Sequence, residues 1–186
     1  MNVTRSDAQR NYERILAVAR TVVEQDGTQA SLRDVARRAG VGMGTLYRHF
    51  PSREALLEAL LRQRFDGLAA RAAALAEAHP PGEALTRWLE EFVQGAGRYR
   101  GLPESIMATL RDDESPLHAS CLAMRRSAGA LLEGAQRAGH IRADVTGVDL
   151  FALASAVGWI AEQAPGLTER REHLLALVLD GLAARP

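Results

Sequence analysis

Apolar residues recur along this chain at intervals of three and four and never in strict alternation, so the pattern predicts helices throughout. Ile15, Ala19, Val22 and Val23 form one stripe on a first helix running from about Ser6 or Asp7 to Gln25, which Asp26-Gly27 ends. Ser31 then caps a short helix carrying Leu32, Val35, Ala36 and Ala39, with Asp34 in its first turn and Gly40 as a left-handed stop. A second short helix is expected from Met43 to Phe50, anchored inward by Leu46 and Phe50 and halted by Pro51. Ser52 caps a long helix bearing Leu57, Leu60, Leu61, Phe65, Leu68, Ala72 and Leu75, and His79-Pro80-Pro81-Gly82 breaks it. Further helices are expected over about Gly82–Tyr99, Pro103–Leu110, Pro116–Gly139, Val148–Gln163 and Thr168–Ala184. The expected fold class is all-α, with an N-terminal three-helix domain over residues 1–55 and a larger helical domain over residues 56–186.

The segment Ser31–Ala55 carries the most chemistry. Two short helices joined by a glycine-bearing turn make a helix-turn-helix, whose second helix is shaped to enter a DNA major groove. With Leu46 and Phe50 inward, Gly44 and Arg48 face outward and Thr45, Tyr47 and His49 flank them. This surface offers a glycine, a hydroxyl, a phenol, a guanidinium and an imidazole, and no acid; it suits phosphates and base edges. Gly42 and Gly44 each lower helix propensity by roughly 1 kcal/mol, which favours ordering on DNA.

Charge sharpens that picture. The 186 residues carry no net charge, yet residues 1–53 hold nine arginines against five acids and residues 54–186 fourteen arginines against eighteen acids. Attraction for a polyanion therefore sits at the motif-bearing end. Every basic side chain other than histidine is arginine, which favours bidentate guanine and phosphate contacts. A hydrophobic fraction of 47% with 25% charged residues is that of a soluble globular protein. The longest near-continuous apolar run, Leu150–Ala161, is far short of the ~20 residues that span a bilayer. Polar residues interrupt the N-terminal segment throughout, so a cytoplasmic chain is expected.

These motifs resemble the TetR family of tetracycline-repressor-like transcription regulators over roughly Ser6–Leu61. The resemblance rests on Ala36, Ala39, Gly40 and Val41, then on Gly44-Thr45-Leu46-Tyr47-Arg48-His49-Phe50, then on Pro51-Ser52-Arg53-Glu54-Ala55-Leu56. It implies that Tyr47, His49 and Arg53 touch phosphates and that Arg33, Met43, Gly44 and Thr45 lie near bases. Ser31 and Arg48 complete the ring of donors. Met43 stands where many members carry a polar residue, so its groove contact would be apolar. The resemblance further implies a homodimer on a palindromic operator, a small-molecule effector, and repression rather than activation.

Outside that segment the residues admit more than one role. Trp88, Phe92, Tyr99, Met107, His118, Cys121, Met124 and Trp159 are side chains that either line an effector pocket or fill the core, and Arg98 and Arg100 either meet an anionic effector or are simply solvated. The last two helices present Phe151, Ala154, Val157 and Gly158, then Leu174, Leu175, Val178 and Leu182; these faces serve either the chain's own core or a two-fold four-helix bundle. Gly40-Val41-Gly42-Met43-Gly44 does not fit a dinucleotide loop, because Thr45 breaks the spacing and no strand precedes it. The five histidines are scattered, without paired zinc-ligand spacing or a serine elbow. Cys121, the single cysteine, has His118 three residues before it, and its apolar stripe favours an inert thiol over a nucleophile or redox sensor. No cofactor, metal or membrane partner is expected. The competing classes are a helical small-molecule-binding or enzymatic domain without DNA readout, and a purely structural dimer module.

Overall fold

Caps and breakers set the helix boundaries. The computed structural model describes residues 3–96, 102, 104–163 and 165–184, and its helices are α1 Val3–Asp26, α2 Leu32–Arg38, α3 Met43–His49, α4 Arg53–Ala78, α5 Pro81–Ala96, α6 Glu104–Arg111, α7 Pro116–Arg137, α8 Gly147–Gln163, α9 Pro165–Thr168 and α10 Arg171–Leu182. Gly27, Gly40 and Gly139 have φ of 73°, 63° and 74°, the left-handed backbone that lets α1, α2 and α7 stop without strain. Ser52 and Ser115 cap the helices after them: Ala55 N–H donates to Ser52 Oγ at 3.1 Å, and His118 N–H to Ser115 Oγ at 3.0 Å. At α8, Thr146 and Asp149 cap each other reciprocally, with Thr146 N–H and Oγ1–H both donating to Asp149 Oδ2 at 2.9 and 2.7 Å. Those bonds hold the Asp149 carboxyl below the usual carboxylate range. The fold is all-α, and among the described residues the one extended pairing is an isolated bridge between Ile141 and Ala183.

The chain divides into two compact units, Met1–Arg64 with Arg98–Ala119 and Phe65–Gly97 with Ser120–Pro186. In the first, α1 packs on α2, and α2 on α3. Ile15, Ala19, Val22, Val35, Ala36, Leu46, Phe50, Leu57, Leu60 and Leu61 are buried there, the apolar positions that the periodicity singles out. In the second, α5 and α10 pack on α8, around a core that includes Leu75, Trp88, Leu89, Phe92, Met124, Leu131, Ala154 and Val157. Gln136 ties the connection after α7 by donating from Nε2 to the carbonyls of Arg142 (3.0 Å) and Val145 (2.8 Å). Gly82, in the first turn of α5, is crowded: a Cβ there would meet the His140 ring at 2.8 and 2.9 Å.

Helix α1 begins at Val3 rather than at Ser6 or Asp7, and both ends of the last helix differ from the sequence reading. The helix expected from Thr168 begins at Arg171, and Pro165–Thr168 forms a separate turn of helix whose Thr168 hydroxyl donates to the Ala161 carbonyl at 2.5 Å. Proline fits the first position of a helix, so the residue read as a breaker opens a short one instead. The helix also ends at Leu182 rather than Ala184, because Ala183 and Ala184 turn into the bridge with Ile141 and the bond to the His140 carbonyl. The expected helix end at Tyr99, together with Arg98, Arg100 and Pro103, lies outside the described residues.

Candidate nucleic-acid interface

The reading helix is positioned from both ends. Ser31 Oγ accepts the Asp34 N–H at 3.4 Å to start α2, and Val41 N–H donates to the Ala36 carbonyl at 3.0 Å to close its end around Gly40. Gly42, extended at φ −71° and ψ 152°, sets α3 going, and its carbonyl accepts from Thr45 and Leu46. Leu46 is fully buried and Phe50 nearly so. The Phe50 ring stacks on Tyr12 of α1 with centroids 5.0 Å apart, and His49 stands edge-on to the same Tyr12 at 6.1 Å. The apolar side of α3 is thereby spent on the unit's core, and the opposite side is left free.

The residues singled out by the sequence lie on α3 and on the starts of α2 and α4. Ser31, Arg33, Gly44, Tyr47 and Arg48 are exposed, Tyr47 by 49%; Met43, Thr45, His49 and Arg53 are half-buried. His49 is partly committed to packing through its ring contacts with Tyr12 and Phe50. Arg53 is steadied by Gln29, donating from Nη1 to Oε1 at 2.9 Å. Nothing lies within 4 Å of a Cβ built at Gly42 or Gly44, so a flat partner has room to approach the helix's opening turn. Asp34 is the acid on the neighbouring helix, and it is neutralised in place: Arg37 Nη2 lies 2.5 Å from Oδ1 and Arg38 Nε 2.7 Å from Oδ2. The Arg37 hydrogen bond, with Arg38 beside it, holds the Asp34 carboxyl below its ordinary range. The donors offered to a polyanion are therefore cationic and hydroxylic, and the nearby Asp34 carboxylate is paired.

The remaining candidates divide between the units. Met107 and His118 belong to the first; Trp88, Phe92, Cys121, Met124 and Trp159 belong to the second. His118 sits half-buried between acceptors, with Nδ1 2.9 Å from the Leu110 carbonyl and Nε2 3.3 Å from Asp113 Oδ1. Trp88 is fully buried, stacks on Phe92 at 5.5 Å and meets Phe151 edge-on at 6.0 Å, and its Nε1–H donates to the Leu68 carbonyl at 2.8 Å. Cys121 and Phe151 pack at the edge of this core, and Met124 is buried in it. Burial pushes the Cys121 thiol up, against a smaller opposing pull from Arg125, so it stays protonated and a poor nucleophile at neutral pH. Trp159 lies apart, 61% exposed on α8. Of the residues put forward for a dimer face, Ala154, Val157, Gly158 and Leu175 are buried within the chain, while Phe151, Leu174, Val178 and Leu182 are half-buried. The large apolar side chains that α8 and α10 leave exposed include Val148, Leu153, Trp159, Ile160 and Leu177. No helix among the described residues is long and apolar enough to cross a membrane.

A helix-turn-helix with a buried staple on one side of α3 and an acid-free donor surface on the other defines a DNA-binding protein. Comparison with known proteins agrees. The model of bacterial regulatory proteins of the tetR family matches residues 15–60, and that of the C-terminal domain of SbtR-like transcriptional regulators matches residues 80–184. The chain belongs to the TetR family of DNA-binding transcriptional regulators. It resembles the TetR transcriptional regulator SCO0520 of Streptomyces coelicolor at 36% identity and a TM-score of 0.75, over 94% of this chain and 99% of that one. It resembles the TetR transcription regulatory protein of Mycobacterium vanbaalenii at 34% identity and a TM-score of 0.71, over 97% and 99%. The HTH-type transcriptional regulator SAR0097 of Staphylococcus aureus is 41% identical over 64 residues, so this match spans 33% of the chain and 34% of that relative.

Proposed function

We propose that this regulator is a homodimeric repressor, active in the cytoplasm, in which α3 of each copy enters the major groove of a palindromic operator and a small molecule releases it. The exposed, acid-free surface of α3 carries the reading: a fold that spends Leu46 and Phe50 on its core leaves Gly44, Thr45, Tyr47 and Arg48 for bases and phosphates. The large apolar side chains exposed on α8 and α10 support a two-fold partner, since a second copy would cover them and place two reading heads on one duplex. The aromatic trio of Trp88, Phe92 and Phe151, with Cys121 and Met124 beside it, is the proposed seat of the effector. Helix α4, continuous from residues of the first unit into residues of the second, is the proposed lever between effector and DNA. Such coupling is typically ~1–3 kcal/mol.

Selection of bound fragments from randomised duplex DNA tests this directly. Two inverted half-sites spaced by about one helical turn are expected, together with a dimer mass by sedimentation; enrichment of an unpaired half-site, or of nothing, would reject the dimeric reader. On the selected duplex, Arg53→Ala should weaken binding and lower the slope of log affinity against log salt by about 1 per subunit. Tyr47→Ala should weaken binding evenly across sequences. An unchanged salt slope for Arg53→Ala would remove that residue from the phosphate contacts.

A further inference from the structure

Arg48 stands in the last turn of α3, yet its guanidinium is drawn back over the opening turn. Its Nε–H donates to the Gly44 carbonyl at 3.2 Å and its Nη2–H to Thr45 Oγ1 at 3.0 Å. Long side chains on a helix lean toward its N-terminus, and here two acceptors fix the lean. A guanidinium has two forked edges in its plane, one made by Nε and Nη2 and the other by Nη1 and Nη2. Gly44 and Thr45 occupy the first. The second is left pointing outward with two parallel donors, the arrangement that suits a planar partner with two acceptors side by side.

We infer that Thr45 and Arg48 form one reading unit, in which Thr45 positions the guanidinium so that its free edge takes a guanine through O6 and N7. The inference rests on α3 being the helix that contacts DNA, and it assigns that helix a base. Three features converge on it. Arg48 is exposed, and among the described residues no carboxylate pairs with it, whereas Arg37 and Arg38 are held by Asp34. The turn under its guanidinium is the end of a reading helix that meets base edges. Gly42 and Gly44 add no side chains there, so a base edge has clear access. Bidentate arginine on the guanine major-groove edge is the contact this geometry matches. A phosphate would accept the same fork, but phosphates are identical in every sequence, which separates the two.

The experiment is selection from randomised duplexes with the full chain and with Arg48→Ala, Thr45→Val and Thr45→Ser, followed by affinity measurements on the wild-type winner carrying 7-deazaguanine at single positions. Wild type should demand guanine at one position in each half-site, and deleting N7 there should cost about 5-fold or more per half-site, part of the roughly 5- to 100-fold that one good bidentate pair is worth. Arg48→Ala should erase that one preference and leave the other selected positions standing. Thr45→Val should blunt it several-fold, Thr45→Ser should rescue it, and Thr45→Val added to Arg48→Ala should cost little more than Arg48→Ala alone. A merely structural threonine would not move a single base preference. The proposal is overturned if Arg48→Ala weakens all duplexes alike with the selected guanine intact, which is a phosphate contact, or if the two substitutions add independently. Failure of the wild type to select any duplex would instead sink the DNA-reading role of α3, and this inference with it.

Discussion

Trp88→Ala is expected to destabilise the second unit by about 3–5 kcal/mol, the largest single effect in the chain. Trp88 is 0% exposed, and its ring is gripped by Phe92 face to face and by Phe151 edge-on. Its indole N–H also reaches the Leu68 carbonyl on α4, so truncation removes both the packing and the tie between α4 and α5. Chemical denaturation followed by far-ultraviolet circular dichroism measures the loss. Trp88→Phe should recover most of it, because the ring contacts survive and one hydrogen bond, worth about 1 kcal/mol, does not. The chain has two tryptophans, so emission from a buried indole should vanish in Trp88→Ala while that of exposed Trp159 persists. A cost under about 1 kcal/mol would mean that this core closes over the missing ring, and that the aromatic trio does not organise the unit.

Leu46→Ala is expected to weaken duplex binding by about 100-fold. Helix α3 spans Met43–His49, too short to persist in water unaided, and its second residue, Gly44, has poor standing in helices. What holds it is burial of Leu46 at 0% exposure and of Phe50 one turn later against Tyr12. Loss of that anchor should cost about 2–5 kcal/mol, which leaves α3 ordered only part of the time. Affinity falls by the fraction that remains competent, about 100-fold for a local penalty near 3 kcal/mol. Titration against the selected duplex at low salt, beside Leu46→Met as the volume-conserving control, measures it. Full affinity in Leu46→Ala would show that α3 is held by something other than this staple.

How much of this was legible beforehand depended on whether a residue's role is fixed by its neighbours in sequence. The helix-turn-helix was, because its caps and stops are local: Ser31 against Asp34, the left-handed Gly40, the Ser52 cap before Arg53. The outward placement of Gly44, Tyr47 and Arg48 followed from where Leu46 and Phe50 had to point. The fork between Arg48 and Thr45 was not visible, since a three-residue spacing permits a contact without requiring one. Helix α8 was harder still. It is apolar on nearly every side, so periodicity cannot say which face turns inward. Leu150, Ala154, Val157, Gly158 and Ala161 are buried, and Val148, Trp159 and Ile160 remain outside. The joint between α8 and α10 escaped for a different reason: a one-turn helix closed by a threonine hydroxyl leaves no periodic trace.

The tight fit between Gly82 and His140 has a consequence for how such a chain drifts. A methyl group at position 82 would strike imidazole carbons at distances that covalently unconnected atoms do not tolerate, so the ring would have to swing away. His140 in turn lends its carbonyl to Ala184, near the opposite end of the same unit. Accepting a larger residue at 82 therefore calls for a smaller one at 140, and the two sites should trade bulk as a pair among descendants of this sequence.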